Sequence, residues 1–184
     1  MKKQKDVYNE TKGGNLKKEP WDSSTEKARM LKIEDFGTLD EVREMAKPIR
    51  TAQNRYEAVI ILKEIAAKGA LVNKNGLAVT LSSDSRGKIV SSKALNTSYG
   101  QKIHFLAVAN LDKLFFNAIE PWKYELNPNK NNDDLKARMY LYAPLEFDHK
   151  IIPVKITIKE YKDESLSKRL YSIEAIDVEM KAKK

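Results

Sequence analysis

His104 is the residue of this sequence best suited to acid–base chemistry, because imidazole titrates closest to neutral pH. It begins the stretch HFLAVANLDKLFFNA, residues 104–118, and the other histidine, His149, follows Asp148 in a predicted turn. The first turns of a helix favour bound anions and disfavour a protonated imidazole, as a general base requires. A histidine beside an apolar helix face is also often structural, so both a catalytic and a core role for His104 stay open.

Two later segments alternate apolar residues with cations, hydroxyls and tyrosines, as on the two faces of a β-sheet. The residues on the predicted outer face are Arg138, Tyr140, Tyr142, Lys155, Thr157 and Lys159. Cations suit phosphate oxygens and flat rings suit unstacked bases, so the pattern favours RNA. A solvated strand face, a protected sheet edge or cross-strand tyrosine packing would give the same pattern.

Metal-independent RNA cleavage requires a base for the 2′-hydroxyl, cations for the charged phosphorane and an acid for the 5′-oxygen. His104 could be the base or the acid. The candidate phosphate ligands are Lys88, Arg138, Lys155 and Lys159, and the candidates for stacking or proton donation are Tyr140, Tyr142 and Tyr171. The sequence therefore contains the side chains for this reaction, and it needs no cofactor.

Composition limits the alternatives. The chain has 184 residues and a net charge of +8, most of it beyond residue 50, which favours a polyanionic partner. It has no cysteine and two histidines, which exclude disulfides and thiolate chemistry and argue against a metal site. Phosphate-binding, dinucleotide, zinc-protease and nucleophile-elbow motifs are absent, and no apolar run is long enough to span a membrane.

Capping signals predict three helices early in the chain. Ser23 with Glu26, Thr38 with Glu41, and Asn54 with Glu57 each pair a helix-capping acceptor with a carboxylate three residues later. Gly69 is expected to end the third helix. A further core helix is expected from Tyr99-Gly100 to Pro121.

Alternating segments predict the strands. Residues 77–81 and the segment KIVSS are expected to form a hairpin around SSDSRG. Segments 137–147, 150–161 and 169–180 are expected to form an antiparallel meander, the last with a bulge. The predicted fold is α+β, with N-terminal helices before an antiparallel sheet and a core helix packed on one sheet face. We expect a flexible leader at 1–22, a helical extension or adaptor at 23–50, and the α+β domain at 51–184.

The chain also resembles a known family. GLAVTLSSDSRGKIVSSKAL, HFLAVANLDKLFFNAI, RMYLYAPLEFDHKIIPVKITIKE and RLYSIEAI occur in an order similar to the large polyvalent protein-associated domains of phages and mobile elements. The resemblance covers roughly residues 54–180. These domains are assigned to the superfamily of barnase, EndoU, colicin and RelE-like RNases.

The resemblance implies a metal-independent endoribonuclease, deployed as a toxin or counter-defence effector. The family positions correspond to His104, Lys88, Ser91, Arg138, Lys155 and Tyr171. It further implies an RNA substrate, with tRNA among the candidates, a cognate immunity or antitoxin protein, no membrane partner, and action in the cytoplasm of a host or target bacterial cell.

Two other functions fit the same sequence. One is a non-catalytic module of this fold that binds nucleic acid or protein. The other is a packaging-associated phage protein, for which the helices before Asn54 would form the partner interface.

Overall fold

Helices precede the main sheet along the chain, and the whole is an α+β fold, as predicted. The computed structural model describes residues 24–122, 135–162 and 168–183. The helices are α1 (Ser24–Met30), α2 (Leu39–Ala46), α3 (Arg55–Ala67), α4 (Ser83–Ile89), α5 (Ser92–Thr97), α6 (Gln101–Ala109) and α7 (Leu111–Asn117), with a 3₁₀ turn at Ile33–Asp35. The strands are β1 (Leu71–Val72), β2 (Ala78–Val79), β3 (Leu135–Phe147), β4 (Lys150–Tyr161) and β5 (Lys168–Ala175).

The last three strands form the predicted antiparallel meander, in the order β3-β4-β5. Asp148 and His149 join β3 to β4 with φ values of 54° and 65°. Two successive residues with positive φ are typical of the tight hairpin turn whose twist matches that of the flanking strands. This turn fixes the register that places Arg138 opposite Lys159 and Tyr142 opposite Lys155.

The predicted bulge is present in β5. Thr157 of β4 pairs with Ser172, whereas the next residue, Ile158, pairs with Leu170. Tyr171 is therefore the additional residue of the bulge. A bulge re-aims the side chain of its additional residue and bends the strand locally.

The core lies between one face of this sheet and helices α3, α6 and α7. Ile156, Ile158 and Leu170 are fully buried on the sheet side, as are Leu62 and Phe115 on the helix side. Among the described residues, no helix is long and apolar enough to cross a membrane.

Two sequence predictions about elements were wrong. The segment predicted as a hairpin contains α4 and α5, because the Ser82 and Ser91 hydroxyls accept the N–H groups of Ser85 and Ala94 and cap two short helices. Strand β2 pairs with β1 instead, with Leu71 opposite Val79.

The single helix expected to end at Pro121 is divided at Asn110 into α6 and α7. Asn110 Oδ1 accepts the N–H groups of Ile49 and Arg50 at 2.7 and 3.1 Å. Its Nδ2 donates to the carbonyls of Arg50 and Leu106 at 2.9 and 2.8 Å. Asn110 thus joins the start of the domain to the helix junction.

The capping predictions hold where the structure describes them. Thr38 and Glu41 form a complete capping box, and Asn54 accepts from the Glu57 N–H at 2.9 Å. Gly69 follows α3 with a φ of 104°, a conformation that glycine adopts without strain. Ser23 lies outside the described residues, as does the predicted leader at 1–22.

Residues 31–36 and helix α2 cover part of the second face of the sheet. Leu31, Phe36 and Val42 pack with Tyr140 and Tyr142 in a second apolar cluster. The segment after β5 joins them, since the Ile33 N–H donates to the Lys181 carbonyl at 3.2 Å. Both ends of the described chain therefore meet on this face.

We predict that Asn110→Ala lowers the free energy of unfolding by about 3 kcal/mol. The change leaves backbone groups of residues 49, 50 and 106 without their partner in a buried position, because Asn110 is 1% exposed. Urea unfolding followed by circular dichroism measures the loss.

Asn117→Ala is the matched control. Asn117 donates one bond, to Lys113, in a partly exposed position, and should change the same free energy by about 0.5 kcal/mol. Equal losses for the two variants would contradict the joining role of Asn110.

Candidate anion-binding site

Two lysine ammonium groups lie near the ring of Tyr171, and an arginine lies near one of them. The Lys159 ammonium lies 3.7 Å from the ring centroid and the Lys88 ammonium 5.1 Å from it. Arg138 is close enough to Lys159 to repel its charge. We call these four residues, Lys88, Arg138, Lys159 and Tyr171, the tyrosine–cation cluster.

Each member of the cluster is placed by a different element. Lys159 and Arg138 face each other across β4 and β3, and the bulge in β5 presents Tyr171 beside them. Lys88 comes from the last turn of α4, where the buried Ile89 fixes the helix end. The cluster therefore depends on the register of the sheet and on the docking of α4.

The charges of the cluster act on one another. Partial burial lowers the pKa of Lys159, and repulsion from Arg138 and Lys88 lowers it further, against attraction by Tyr171. Lys88 also lies 3.3 Å from the Asp84 carboxylate, but both side chains are more than half exposed. An exposed ion pair contributes little to stability, so Lys88 can exchange this partner for a ligand.

A cavity of about 370 Å³ adjoins the cluster between β5 and the helices α4 and α5. Its lining residues are Lys88, Ser91, Lys93, Ala94, Thr97, Tyr171, Ser172, Ile173 and Glu174. Two cations, a tyrosine and the Glu174 carboxylate thus stand at a pocket whose other walls are apolar or carry hydroxyl groups.

His104 lies in the core. It is 0% exposed, and both ring nitrogens have protein partners. Nε2 is 2.7 Å from the Ile89 carbonyl and Nδ1 is 2.6 Å from Ser98 Oγ. Because a carbonyl only accepts, Nε2 carries the proton and Nδ1 accepts from the serine hydroxyl.

The chain of hydrogen bonds continues to the sheet. Ser98 Oγ accepts the Ala175 N–H at 3.0 Å while donating to His104. Burial lowers the pKa of His104, and the bond to Ile89 opposes this only in part. In this fold His104 ties the end of α4 to the end of β5, and it presents no free ring nitrogen to a substrate.

The expectation of an exposed outer face is wrong for its central residues. Tyr142 is 0% exposed and Tyr140 9%, because they pack with residues 31–36 and α2 in the second apolar cluster, and Thr157 is 6% exposed. Lys155 is half-buried, with its ammonium 4.4 Å from the centroid of the Tyr140 ring. At one end of this face Arg138 and Lys159 are half-buried and lie outside the second apolar cluster.

The structure thus brings together part of the predicted site. Lys88, Ser91 and Tyr171 share one cavity, and Arg138 and Lys159 adjoin it through the cluster. His104, Tyr140, Tyr142 and Thr157 are buried outside the cavity lining. Sequence analysis missed Lys93, Ile173 and Glu174, since α5 was not predicted and the cavity depends on it.

Within residues 24–122, 135–162 and 168–183, no group of three or more histidine, aspartate and glutamate side chains could hold a metal ion. The chemistry available at the cluster in this part of the chain is that of ammonium, guanidinium and phenol groups.

The lowered pKa of His104 predicts a loss of stability in acid. The unfolded chain, with a histidine pKa of about 6.5, binds the proton more tightly than the folded chain does. The contribution of His104 is complete above that pH and is lost as pH falls through the folded value. The free energy of unfolding should fall below pH 6.5 by up to about 1.4 kcal/mol per pH unit.

Urea unfolding at pH 7.5, 6.5 and 5.5 measures this dependence. The variant His104→Gln should be less stable at pH 7.5 and should lose the dependence between pH 6.5 and 5.5. His149→Gln, at an exposed turn position, should retain it. If the pH dependence of stability disappeared in the His149 variant, the prediction that His104 causes it would be contradicted.

Comparison with known proteins gives one match. The model of the family described as large polyvalent protein-associated domain 3 matches residues 49–171. No curated protein and no solved structure matches the chain. The matched range begins where Asn110 holds Ile49 and Arg50, and it ends at Tyr171. Since this range spans more than half of the sequence, the chain belongs to the large polyvalent protein-associated domain 3 family.

Proposed function

We propose that this domain binds RNA and that the tyrosine–cation cluster holds the RNA phosphates. The observation that carries the proposal is the convergence of Lys88 and Lys159 on one tyrosine, with Arg138 opposite Lys159 on the neighbouring strand. The family is consistent with a phage-associated module. The RNA partner is our inference from the geometry.

Electrostatics favours an anion at this position. Like charges held close together by a fold raise its free energy, and a bound phosphate would offset that repulsion. Arg138 and Lys159 sit on neighbouring strands and Lys88 on a packed helix, so the cations are already positioned before a ligand arrives. Little side-chain ordering would then oppose binding.

The ring of Tyr171 and the net charge of the chain favour a nucleic acid over other anionic ligands. An aromatic ring beside cations offers a stacking partner for a base next to ligands for its phosphate. The net charge of +8 would also raise the rate at which a polyanion reaches the site. Single-stranded RNA presents both groups without the cost of opening a duplex.

Two further proposals concern the wider role of the domain. One is membership of the barnase, EndoU, colicin and RelE-like RNase superfamily, and the other is use as a toxin or effector with a cognate inhibitor. Both rest on the motif order of the sequence.

The alternative function is a packaging-associated protein, whose partner interface would lie on the helices before Asn54. Apolar side chains of α2 are used against the sheet, which leaves its polar side for such an interface.

We predict that Lys159→Ala and Arg138→Ala each weaken binding of a single-stranded oligoribonucleotide roughly 10-fold at low salt. Each lost phosphate contact should also reduce the slope of log Kd against log salt by about 0.7. Fluorescence anisotropy over a range of salt concentrations measures both quantities.

Lys150→Ala is the matched control. Lys150 starts the same strand nine residues from Lys159, about 30 Å away at the spacing of β-strand residues, and it is exposed. Removing it takes away the same charge from the chain. If all three variants weaken binding equally, the attraction is general and the cluster is not the binding site.

An endoribonuclease is the second candidate, and the pairing of Lys159 with Tyr171 favours it. The lowered pKa of Lys159 increases the neutral fraction that could accept the 2′-hydroxyl proton, while the Tyr171 hydroxyl could donate to the leaving 5′-oxygen. The 2′-oxygen would attack phosphorus, yielding a cyclic 2′,3′-phosphate and a 5′-hydroxyl end. Arg138 and Lys88 would stabilise the phosphorane, and His104 would act only through the position of α4.

We predict that, if the domain cleaves RNA, it does so in EDTA and that Tyr171→Phe lowers the cleavage rate by about 10² to 10⁴-fold. The phenylalanine keeps the ring, so RNA affinity should change little. Gel analysis of labelled RNA, with anisotropy on the same samples, separates the two effects. Binding without any product would remove the enzymatic candidate and leave the binding proposal intact.

A further inference from the structure

β5 is an outer strand of the sheet, and its outer edge is hydrogen-bonded to other segments on either side of the cavity. Beside the cavity itself, that edge has no backbone partner among the described residues. Thr80 bonds to the backbone of Lys168 and Leu170, with N···O distances of 2.9 and 3.1 Å. At the other end, the Ala175 N–H donates to Ser98 and the Ala175 carbonyl accepts from Tyr99. The cavity lies between these two covered points.

Ile173 lies in β5 between these two hydrogen-bonded points, beside the cavity. Peptide groups alternate between the two edges of a strand, so Ile173 directs its N–H and C=O to the same edge as Ala175, away from β4. In the part of the chain that the structure describes, neither group bonds to another residue on that edge. Ile173 is also 1% exposed and lines the cavity, so a donor and an acceptor lie side by side at its wall.

The rest of the lining suits a flat, mostly apolar ring. Ala94, the side chain of Thr97 and the ring of Tyr171 provide apolar surface, and a volume of about 370 Å³ lies within the roughly 300–1,000 Å³ of small-ligand pockets. Glu174 would disfavour a second phosphate inside. Lys88 belongs to both the cavity and the cluster, so a phosphate held there is next to the pocket.

We propose that this cavity takes one unstacked nucleobase of a ribonucleotide, with the hydrogen-bonding edge of the base against the N–H and C=O of Ile173. The attached phosphate lies at the tyrosine–cation cluster, so the inference rests on the proposed function and adds a base-binding subsite to it. Every nucleobase has a donor next to an acceptor on that edge, so the pocket accepts any base by its backbone contacts. A bare phosphate could accept from the Ile173 N–H but would leave the Ile173 C=O and the apolar walls without a partner.

The test compares the four nucleoside 5′-monophosphates with ribose 5-phosphate, which lacks a base, at one ionic strength. Each of the four mononucleotides should bind on the order of 10-fold more tightly than ribose 5-phosphate. The backbone amide signal of Ile173 in a ¹⁵N-resolved NMR spectrum should shift with the nucleotide and not with ribose 5-phosphate. Ala94→Leu, which fills the cavity from α5, should abolish the difference between the two ligands.

The NMR spectrum of Ala94→Leu shows whether this variant is folded. The comparison of ligands on the wild type does not depend on the variant. Equal affinity for all five ligands, or an Ile173 amide that does not respond, would overturn the subsite. If RNA still binds with a salt slope that depends on Lys159, the proposed function survives that result. Nucleotide binding at Ile173 by a domain that does not bind RNA would support the subsite and overturn the RNA proposal.

Discussion

The hydrogen bonds of His104 are the interaction on which the arrangement of the site depends. One ring nitrogen holds the carbonyl at the end of α4, and the other is linked through Ser98 to the end of β5. Lys88 precedes the first of these anchor points, and Tyr171 lies four residues before the second. A neutral imidazole that donates on one side and accepts on the other is the side chain that can bridge a carbonyl and a hydroxyl in this way. The histidine acts on the site by positioning its walls.

The register and the buried face of the sheet explain how the fold holds cations close together. Arg138 and Lys159 are fixed by a register of eleven residue pairs against a buried apolar face, whose burial contributes far more free energy than the repulsion between two part-exposed charges costs. The bulge at Tyr171 adds the ring that both ammonium groups approach. Stability is thus supplied by the core, and the charged end of the sheet is left for binding.

Sequence patterns predicted those parts of the fold that depend on local periodicity. The meander, its tight turn and the bulge followed from alternation in segments 137–180, since the spacing of Leu170, Ile173 and Ile176 permits no regular strand. The helices α4 and α5 were missed because serine is as frequent in turns as at helix starts, and the capping partner decides between them. The burial of His104 depends on contacts with residues 15 positions before it and, through Ser98, 71 positions after it, which no local pattern encodes.

The covered face of the sheet limits where a long ligand could lie. Tyrosine is common in binding surfaces, yet the rings of Tyr140 and Tyr142 pack under Leu31, Phe36 and Val42. The ring of Trp122 lies edge-on to Tyr142, with 5.7 Å between the ring centroids. Much of this cover lies outside the family-matched residues 49–171, in residues 31–36, α2 and the segment after β5. Within the matched range Ile119, Trp122 and Ile151 also pack on this cluster, so the matched residues alone would cover the two tyrosines in part. Among the described residues, Arg138, Lys159 and Tyr171 lie outside this cover, so a strand of RNA that crossed the sheet there would have the cavity beside β5 next to its bases.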